Sequence, residues 1–286
     1  MTEINIDYLK EWEGKQETAE DDITLFPARA LAAALDRDWE PKKGESLPAF
    51  WDWMYFLPTP KAKDTGKDGH PDKGGFLPPV PLPRRMWAAG DYELIAPLEI
   101  GKSATRVSTI ESVELKQGAS GTLVFVNVRH DTYQNDQKCI SQVQNIVYRE
   151  QVSGPSQLPP GKPSPNDAQF QQDVLITPVL LFRYSALTYN GHRIHYDRDY
   201  TRNEEFYPDL IVHGPLLVTL LLNLQHSVLP ERTIRHFSFR AMRPTFDRET
   251  FSIAGKLDGD LLNLWSADDE AYQCMQIKAE LCPVGE

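Results

Sequence analysis

One stretch limits what this chain can fold into more than any other: Val212-His213-Gly214-Pro215, followed by the run from Leu216 to Leu229. Leu216, Leu217, Val218, Leu220, Leu221, Leu222 and Leu224 would cover every side of a helix, and polar Asn223, Gln225 and His226 come only toward its far end. A helix with no polar face must be enclosed. The apolar block is well short of the ~20 residues of a membrane span, so protein has to do the enclosing. Material for that is ample, since 41% of the 286 residues are hydrophobic and 10% aromatic. Gly214 and Pro215 suit a first helical turn.

What surrounds this helix reads as antiparallel sheet. In the first half, Ser103–Leu115, Thr122–Asp131 and Cys139–Tyr148 carry strand texture, with turn signals at Lys116-Gln117-Gly118 and Gln134-Asn135-Asp136. In the second half, strands are predicted at Leu175–Tyr184, Thr233–Phe239, Thr250–Leu257, Leu261–Ser266 and Ala271–Leu281. A helix is predicted over 21–36, and a short buried one over Ala49–Leu57, where Trp51, Trp53, Tyr55 and Phe56 crowd together. Two proline-rich stretches, 58–83 and 154–165, interrupt the pattern. The first is long enough to be a lid or binding loop, or else a solvated connector. Both halves therefore run helix then sheet. The expected class is α+β, a double hot-dog of two antiparallel sheets each wrapped on a central helix. An N-terminal unit would span 1–153, including the 58–83 loop, and a C-terminal catalytic unit 166–286.

Charge and cysteine content narrow the partners. Asp and Glu number 41 against 30 Lys and Arg, a net charge of −11, which disfavours a nucleic-acid partner because phosphate neutralisation needs a basic surface. Cys139, Cys274 and Cys282 show neither metal-ligand nor disulfide spacing, and Met1 to Glu13 has no basic lead and apolar core. The expectation is a cytoplasmic protein that binds neither membrane nor metal.

Chemistry concentrates in Tyr189-Asn190-Gly191-His192-Arg193-Ile194-His195-Tyr196-Asp197-Arg198-Asp199-Tyr200, just ahead of the enclosed helix. An imidazole with an unperturbed pKa near ~6.5 can both take and return a proton. Backbone N–H groups at a helix start can hold a developing negative charge, and Gly214 permits close approach. A histidine of this stretch and the Gly214 amide are therefore the expected catalytic pair. Asn190, an amide, can only orient a water or substrate. Asp197 and Asp199 read as loop-fixing partners of arginines.

The run Asn190 to Asp197, with Leu210-Ile211-Val212-His213-Gly214-Pro215-Leu216 after it and Arg84-Arg85-Met86-Trp87-Ala88-Ala89-Gly90 before it, resembles the MaoC-type enoyl-thioester hydratases. Within them it is most similar to the type 2 hydroxyacyl-thioester dehydratase branch and its relatives, the mesaconyl- and itaconyl-CoA hydratases. The hydratase signature of that family reads Asp, any residue, Asn, Pro, any residue, His. Counting back from His195, the Asp place holds Asn190, the Asn place His192 and the Pro place Arg193, a departure that loads proton transfer onto His195 unless His192 shares it. The resemblance implies reversible addition of water to an α,β-unsaturated acyl-CoA, the acyl group being a C5 diacid of mesaconyl or itaconyl type that yields citramalyl-CoA. Arg193, Arg84 or Arg85 would meet its free carboxylate, with His192 and Trp87 as further substrate contacts. No cofactor is implied beyond the CoA of the substrate, and a homodimer is possible. A hot-dog thioesterase is the alternative, disfavoured because Pro215 to Leu229 holds no carboxylate; a non-catalytic acyl-thioester binding protein is the other.

Overall fold

Alternation of period two builds the first half. In strand β4 (Gly121–Gln134), Val124, Val126, Val128, His130 and Thr132 are buried in turn while their neighbours are more open. β4 pairs antiparallel with β3 (Ser103–Gly118) and β5 (Gln137–Arg149). Asn135 and Asp136, with φ of 51° and 62°, form the two-residue turn between β4 and β5 that their side-chain types favour. β2 (Arg84–Leu94) lies on the far side of β5, and β1 (Gln16–Asp22) beside β3. The computed structural model describes residues 4–118, 121–151, 154–155 and 158–283.

The second half contains β6 (Phe170–Leu175), β7 (Ile234–Ala241), β8 (Thr250–Asp258), β9 (Leu261–Ala267) and β10 (Gln273–Leu281). Across the sheet the order is β1-β3-β4-β5-β2-β7-β10-β9-β8-β6. Read inward from either edge, each half runs first, third, fourth, fifth, second strand. The same architecture is used twice.

The two halves are not separate sheets. β2 and β7 pair antiparallel, Gly90 opposite Phe239 and Tyr92 opposite Phe237, joining the halves into one ten-stranded sheet. The seam needs a glycine, since a Cβ on Gly90 would come within 2.4 Å of the Phe239 ring. Tyr92 and Phe237 stack there at 4.8 Å, and Phe50, held at φ 71°, packs against both and against Trp87 and Phe239. A left-handed Phe is costly, and four neighbouring rings hold it in place.

Helix α5 (Gly214–Val228) is the enclosed element expected, lying on β8, β9 and β10 with Leu216, Leu217, Val218, Leu220, Leu221, Leu222 and Leu224 all buried. In the first half α2 (Leu25–Ala34) follows β1, buries Ala28, Leu31 and Ala32, and packs chiefly against the helix that follows β6. A short α1 (Ile6–Lys10) seats Leu9 on β3. Among the described residues no helix is long and apolar enough to cross a membrane.

Three readings change. Leu175–Tyr184 is not a strand: β6 stops at Leu175 and helix α3 (Pro178–Leu187) begins, because Thr177 caps it by accepting the Leu180 N–H at 3.2 Å and Pro178 takes the first turn. The apolar run misled because Leu181 and Tyr184 are buried at helical spacing while Val179 and Phe182 face outward. β1 was not expected, since Gln-Glu-Thr-Ala-Glu-Asp-Asp has no apolar alternation and forms only by pairing with β3 at the sheet edge. Ala49–Leu57 shrinks to a buried 3-10 turn, Trp51–Met54. The end of the N-terminal unit, placed at residue 153, lies outside the described residues.

Candidate active site

The polar loop begins where α3 ends. Tyr189 adopts φ 48° and the Asn190 N–H returns to Ser185 O at 2.8 Å, a left-handed helix exit. Asn190 Oδ1 then accepts the His192 N–H at 3.0 Å, so this side chain makes an Asx turn. A 3-10 turn over Arg193–His195 follows, then α4 (Arg198–Asn203), whose N-cap Asp197 accepts the Tyr200 N–H at 3.0 Å. Arg198 spans to Asp209 and Asp247, the latter at 2.7 Å, fixing the approach to α5.

His195 is buried, and its Nδ1 lies 2.7 Å from Ile211 O. A carbonyl only accepts, so Nδ1 carries the proton and Nε2 keeps its lone pair. The ring stacks on His213 at 3.7 Å and 17°. His213 is the N-cap of α5, fully buried, with Nε2 2.8 Å from Ser185 Oγ. It makes no side-chain cap, and Pro215 has no N–H, so the Gly214 and Leu216 amides are the first-turn donors of a half-exposed helix start. The imidazole and the helix N-terminus thus share one wall. Burial lowers the His195 pKa to about 4, with the charge of His70 contributing and the bond to Ile211 opposing, so the ring is neutral at pH 7.

The proline-rich stretch comes down onto this loop from the N-terminal half. Gly69, at φ 87°, lies so close to Gly191 that a Cβ there would sit 1.9 Å from the Gly191 carbonyl oxygen. Arg193 holds the contact, its backbone N–H donating to Asp68 O at 2.9 Å and its guanidinium to Lys67 O at 3.1 Å. This strap delivers His70, whose ring lies 4.0 Å from that of His192, which in turn stands edge-on to His195 at 5.5 Å. Four of the chain's seven histidines therefore meet, three from one half and one from the other.

His70 is not alone. Its Nδ1 is 2.9 Å from Asp68 Oδ2, and its backbone N–H donates to Asp68 Oδ1 at 3.0 Å. Burial would raise the Asp68 carboxyl, but these bonds and the charges of His70 and Arg85 bring it to about 2. Burial lowers both His70 and His192, and Arg85 lowers each further. Asp68, His70 and His192 place ligand-type atoms within 4.8 Å of one another, a spacing able to hold a divalent ion. However, both Asp68 oxygens are already engaged by His70, and the Arg85 charge acts on all three groups. That favours an acid/base role over cation binding.

The expected substrate arginines separate. Arg84 is buried and ion-paired with Glu205 at 2.9 Å, over the ring of Tyr207. Arg193 is ion-paired with Asp197 at 2.7 Å besides docking the strap. Neither guanidinium is free. Arg85 has no ion pair among the described residues and is near enough to depress the histidine cluster. Trp87 does not offer its N–H to a ligand: it donates to Ala89 O at 2.8 Å while the ring packs against Trp53 and Phe239. Sequence reasoning missed Asp68, His70 and Ser185. The one signal for the first two was an acid and an imidazole flanking a glycine in an unusually long loop.

The sequence pattern of the family described as hydroxyacyl-thioester dehydratase type 2 matches residues 50–247. The chain belongs to this family. As a type 2 hydroxyacyl-thioester dehydratase family member it is a hydro-lyase of the enoyl-thioester hydratase kind. Mesaconyl-C(4)-CoA hydratase of Chloroflexus aurantiacus is 42% identical to this family member over 273 residues, 94% of this chain and 96% of that protein. Among solved structures, a MaoC-like dehydratase from Phytophthora capsici covers 98% of this chain and 99% of its own at a TM-score of 0.68 and 12% identity. A Mycobacterium tuberculosis protein described as having a double hotdog fold covers 94% and 96% at 0.59 and 10% identity. At such identities these two speak for the fold, which is the double hot-dog expected.

Proposed function

We propose that this chain catalyses reversible hydration of an α,β-unsaturated acyl-CoA whose acyl group is a short dicarboxylate, of mesaconyl or itaconyl type, giving a citramalyl-CoA. The observation that carries the reading is the shared wall of His195 and the α5 start. Its Nδ1 tied to Ile211, the imidazole keeps an unprotonated Nε2 and stacks on the N-cap of a helix whose first-turn amides no side chain caps. The thioester oxygen would accept from Gly214 and Leu216, where one such donor is worth roughly 3–4 kcal/mol in other enzymes. His195 Nε2 would take a proton from water as the oxygen adds to the β-carbon, then return it to the α-carbon as the enolate collapses. Asn190, engaged in its turn, acts through the loop it shapes.

Arg85 supports the diacid. A free carboxylate wants a planar two-pronged partner, and of the three candidate arginines only Arg85 stands clear of an ion pair among the described residues. The 42% identity to a mesaconyl-CoA hydratase points the same way. A panel of mono- and dicarboxylic enoyl-CoA esters tests the reading. Loss of conjugated-thioester absorbance without release of thiol is expected with the diacids; thiol release would mean a thioesterase, and silence across the panel would remove the enzyme reading.

A further inference from the structure

A water being added has two O–H bonds, and controlling it takes two acceptors: one to remove a proton and one to hold the oxygen while its lone pair is aimed at carbon. The 189–200 loop supplies His195 for the first. For the second, the position where related hydratases carry an aspartate holds Asn190, an amide that cannot take a proton and whose oxygen accepts the His192 N–H. The strap brings what the loop lacks. Asp68 accepts from both the Nδ1 and the backbone N–H of His70, which fixes the tautomer and leaves Nε2 as a directed lone pair. That ring lies 4.0 Å from His192, which stands 5.5 Å from His195, and a charge on it would depress His195 itself.

We infer that His70, oriented by Asp68, is the second catalytic residue of the hydration: its Nε2 accepts the O–H bond of the water that His195 does not break. The step balances within the site. One water proton passes to His195 Nε2, the C–O bond forms at the β-carbon, and the C=C pair moves onto the thioester oxygen. His195 then returns the proton to the α-carbon, the enolate pair forming the new C–H bond. The other hydrogen stays on oxygen as the product hydroxyl, held by His70 throughout. Asp68 is a positioning residue that reaches the water only through the ring. In this arrangement one half of the double hot-dog moves the proton and the other holds the water oxygen.

The inference rests on the hydratase reading, so wild-type turnover is measured first; its absence would defeat that reading before His70 is tested. With turnover in hand, His70→Gln is followed in deuterium oxide by two readouts: exchange of the α-hydrogen of the hydroxyacyl-CoA, which needs only His195, and water addition and loss. Water addition should fall about a hundredfold or more, with exchange kept within about threefold and KM little changed. Asp68→Asn should show the same split at smaller size, and His70→Ala should regain turnover with added imidazole. Gly69→Ala, which drives the strap off Gly191 without touching either group, should reproduce the split. Parallel loss of both readouts in His70→Gln, or undiminished water addition, would overturn the assignment, as would failure of imidazole to rescue a His70→Ala protein with an unchanged melting curve.

Discussion

The two halves run through one strand order and arrive at opposite helix starts. In the first half, the entry to α2 is built of hydrocarbon: Ile23 is fully buried, the Tyr55 hydroxyl donates to Thr24 O at 2.7 Å, Phe50, Trp51, Met54 and Phe56 belong to the same core, and Thr24 and Phe26 face outward with no imidazole beside them among the described residues. In the second half, the entry to α5 is left half-exposed at Gly214 and Pro215 and is walled by His195 and His213. The same scaffold thus serves packing once and chemistry once. Each half places its long insertion after the helix that follows its first strand, α2 or α3, and only the second half adds α5 before its next strand. An insertion after the helix is free to reach elsewhere, and the 58–83 strap uses that freedom to dock on the other half's loop.

Removing the open end's base should have the largest effect. His195→Gln is expected to lower hydration by about a thousandfold with little change in product binding; a drop under tenfold would make the two helix starts functionally alike. Next come the arginines that straddle the halves. Arg84→Ala leaves Glu205 buried and unpaired, which should cost roughly 3–5 kcal/mol of stability, read as a lower denaturation midpoint with KM unchanged among molecules still folded. Arg85→Ala should do the reverse, keeping the midpoint and raising KM for dicarboxylyl substrates about 10- to 100-fold, with no change for a monocarboxylic enoyl-CoA. Equal behaviour of the two variants would erase the separation drawn between them.

Acid should then distinguish a buried histidine that works from one that only packs. His195 needs its neutral form, so kcat/KM should rise with pH through about 4 and level off above it, rather than near ~6.5 as for a free imidazole. The same depression links to folding. The unfolded state binds protons first as pH falls below ~6.5, so stability is full above that value and is lost on descent through about 4, worth roughly 3 kcal/mol for His195. His130, buried in the first half 2.8 Å from Ser108 and pushed down to about 3 mainly by burial, adds to this loss. His130→Gln should therefore flatten the dependence of the unfolding midpoint on pH between 6.5 and 4 without moving the activity profile. The smallest effect is expected of Trp87→Phe, which gives up one N–H bond to Ala89, about 1 kcal/mol of stability, and leaves KM unchanged.

Much of this molecule was legible because its signals are local. An apolar run with no polar side had to be enclosed, Asn135-Asp136 had to turn, and a dozen residues dense in imidazole and guanidinium had to matter. Local rules failed where two elements share a composition. Leu175–Tyr184 has the residues of a strand, and only the Thr177 cap with Pro178 turned most of it into helix. They failed again at β1, whose polar residues become a strand only through pairing with β3.

What the amino-acid order settled alone is that a leucine-rich rod is wrapped by sheet and entered through a histidine loop. Burial and period act over a few residues and are written in the chain. Tertiary structure alone decided that both sheets fuse at Gly90 and Phe239, that Arg84 and Arg193 are consumed by Glu205 and Asp197, and that Asp68 and His70 cross from one half to the other. Those outcomes depend on groups separated by many residues coming within hydrogen-bonding distance. Gly69 meets Gly191 only because neither carries a side chain, a fact visible in the sequence at each position but not as a contact.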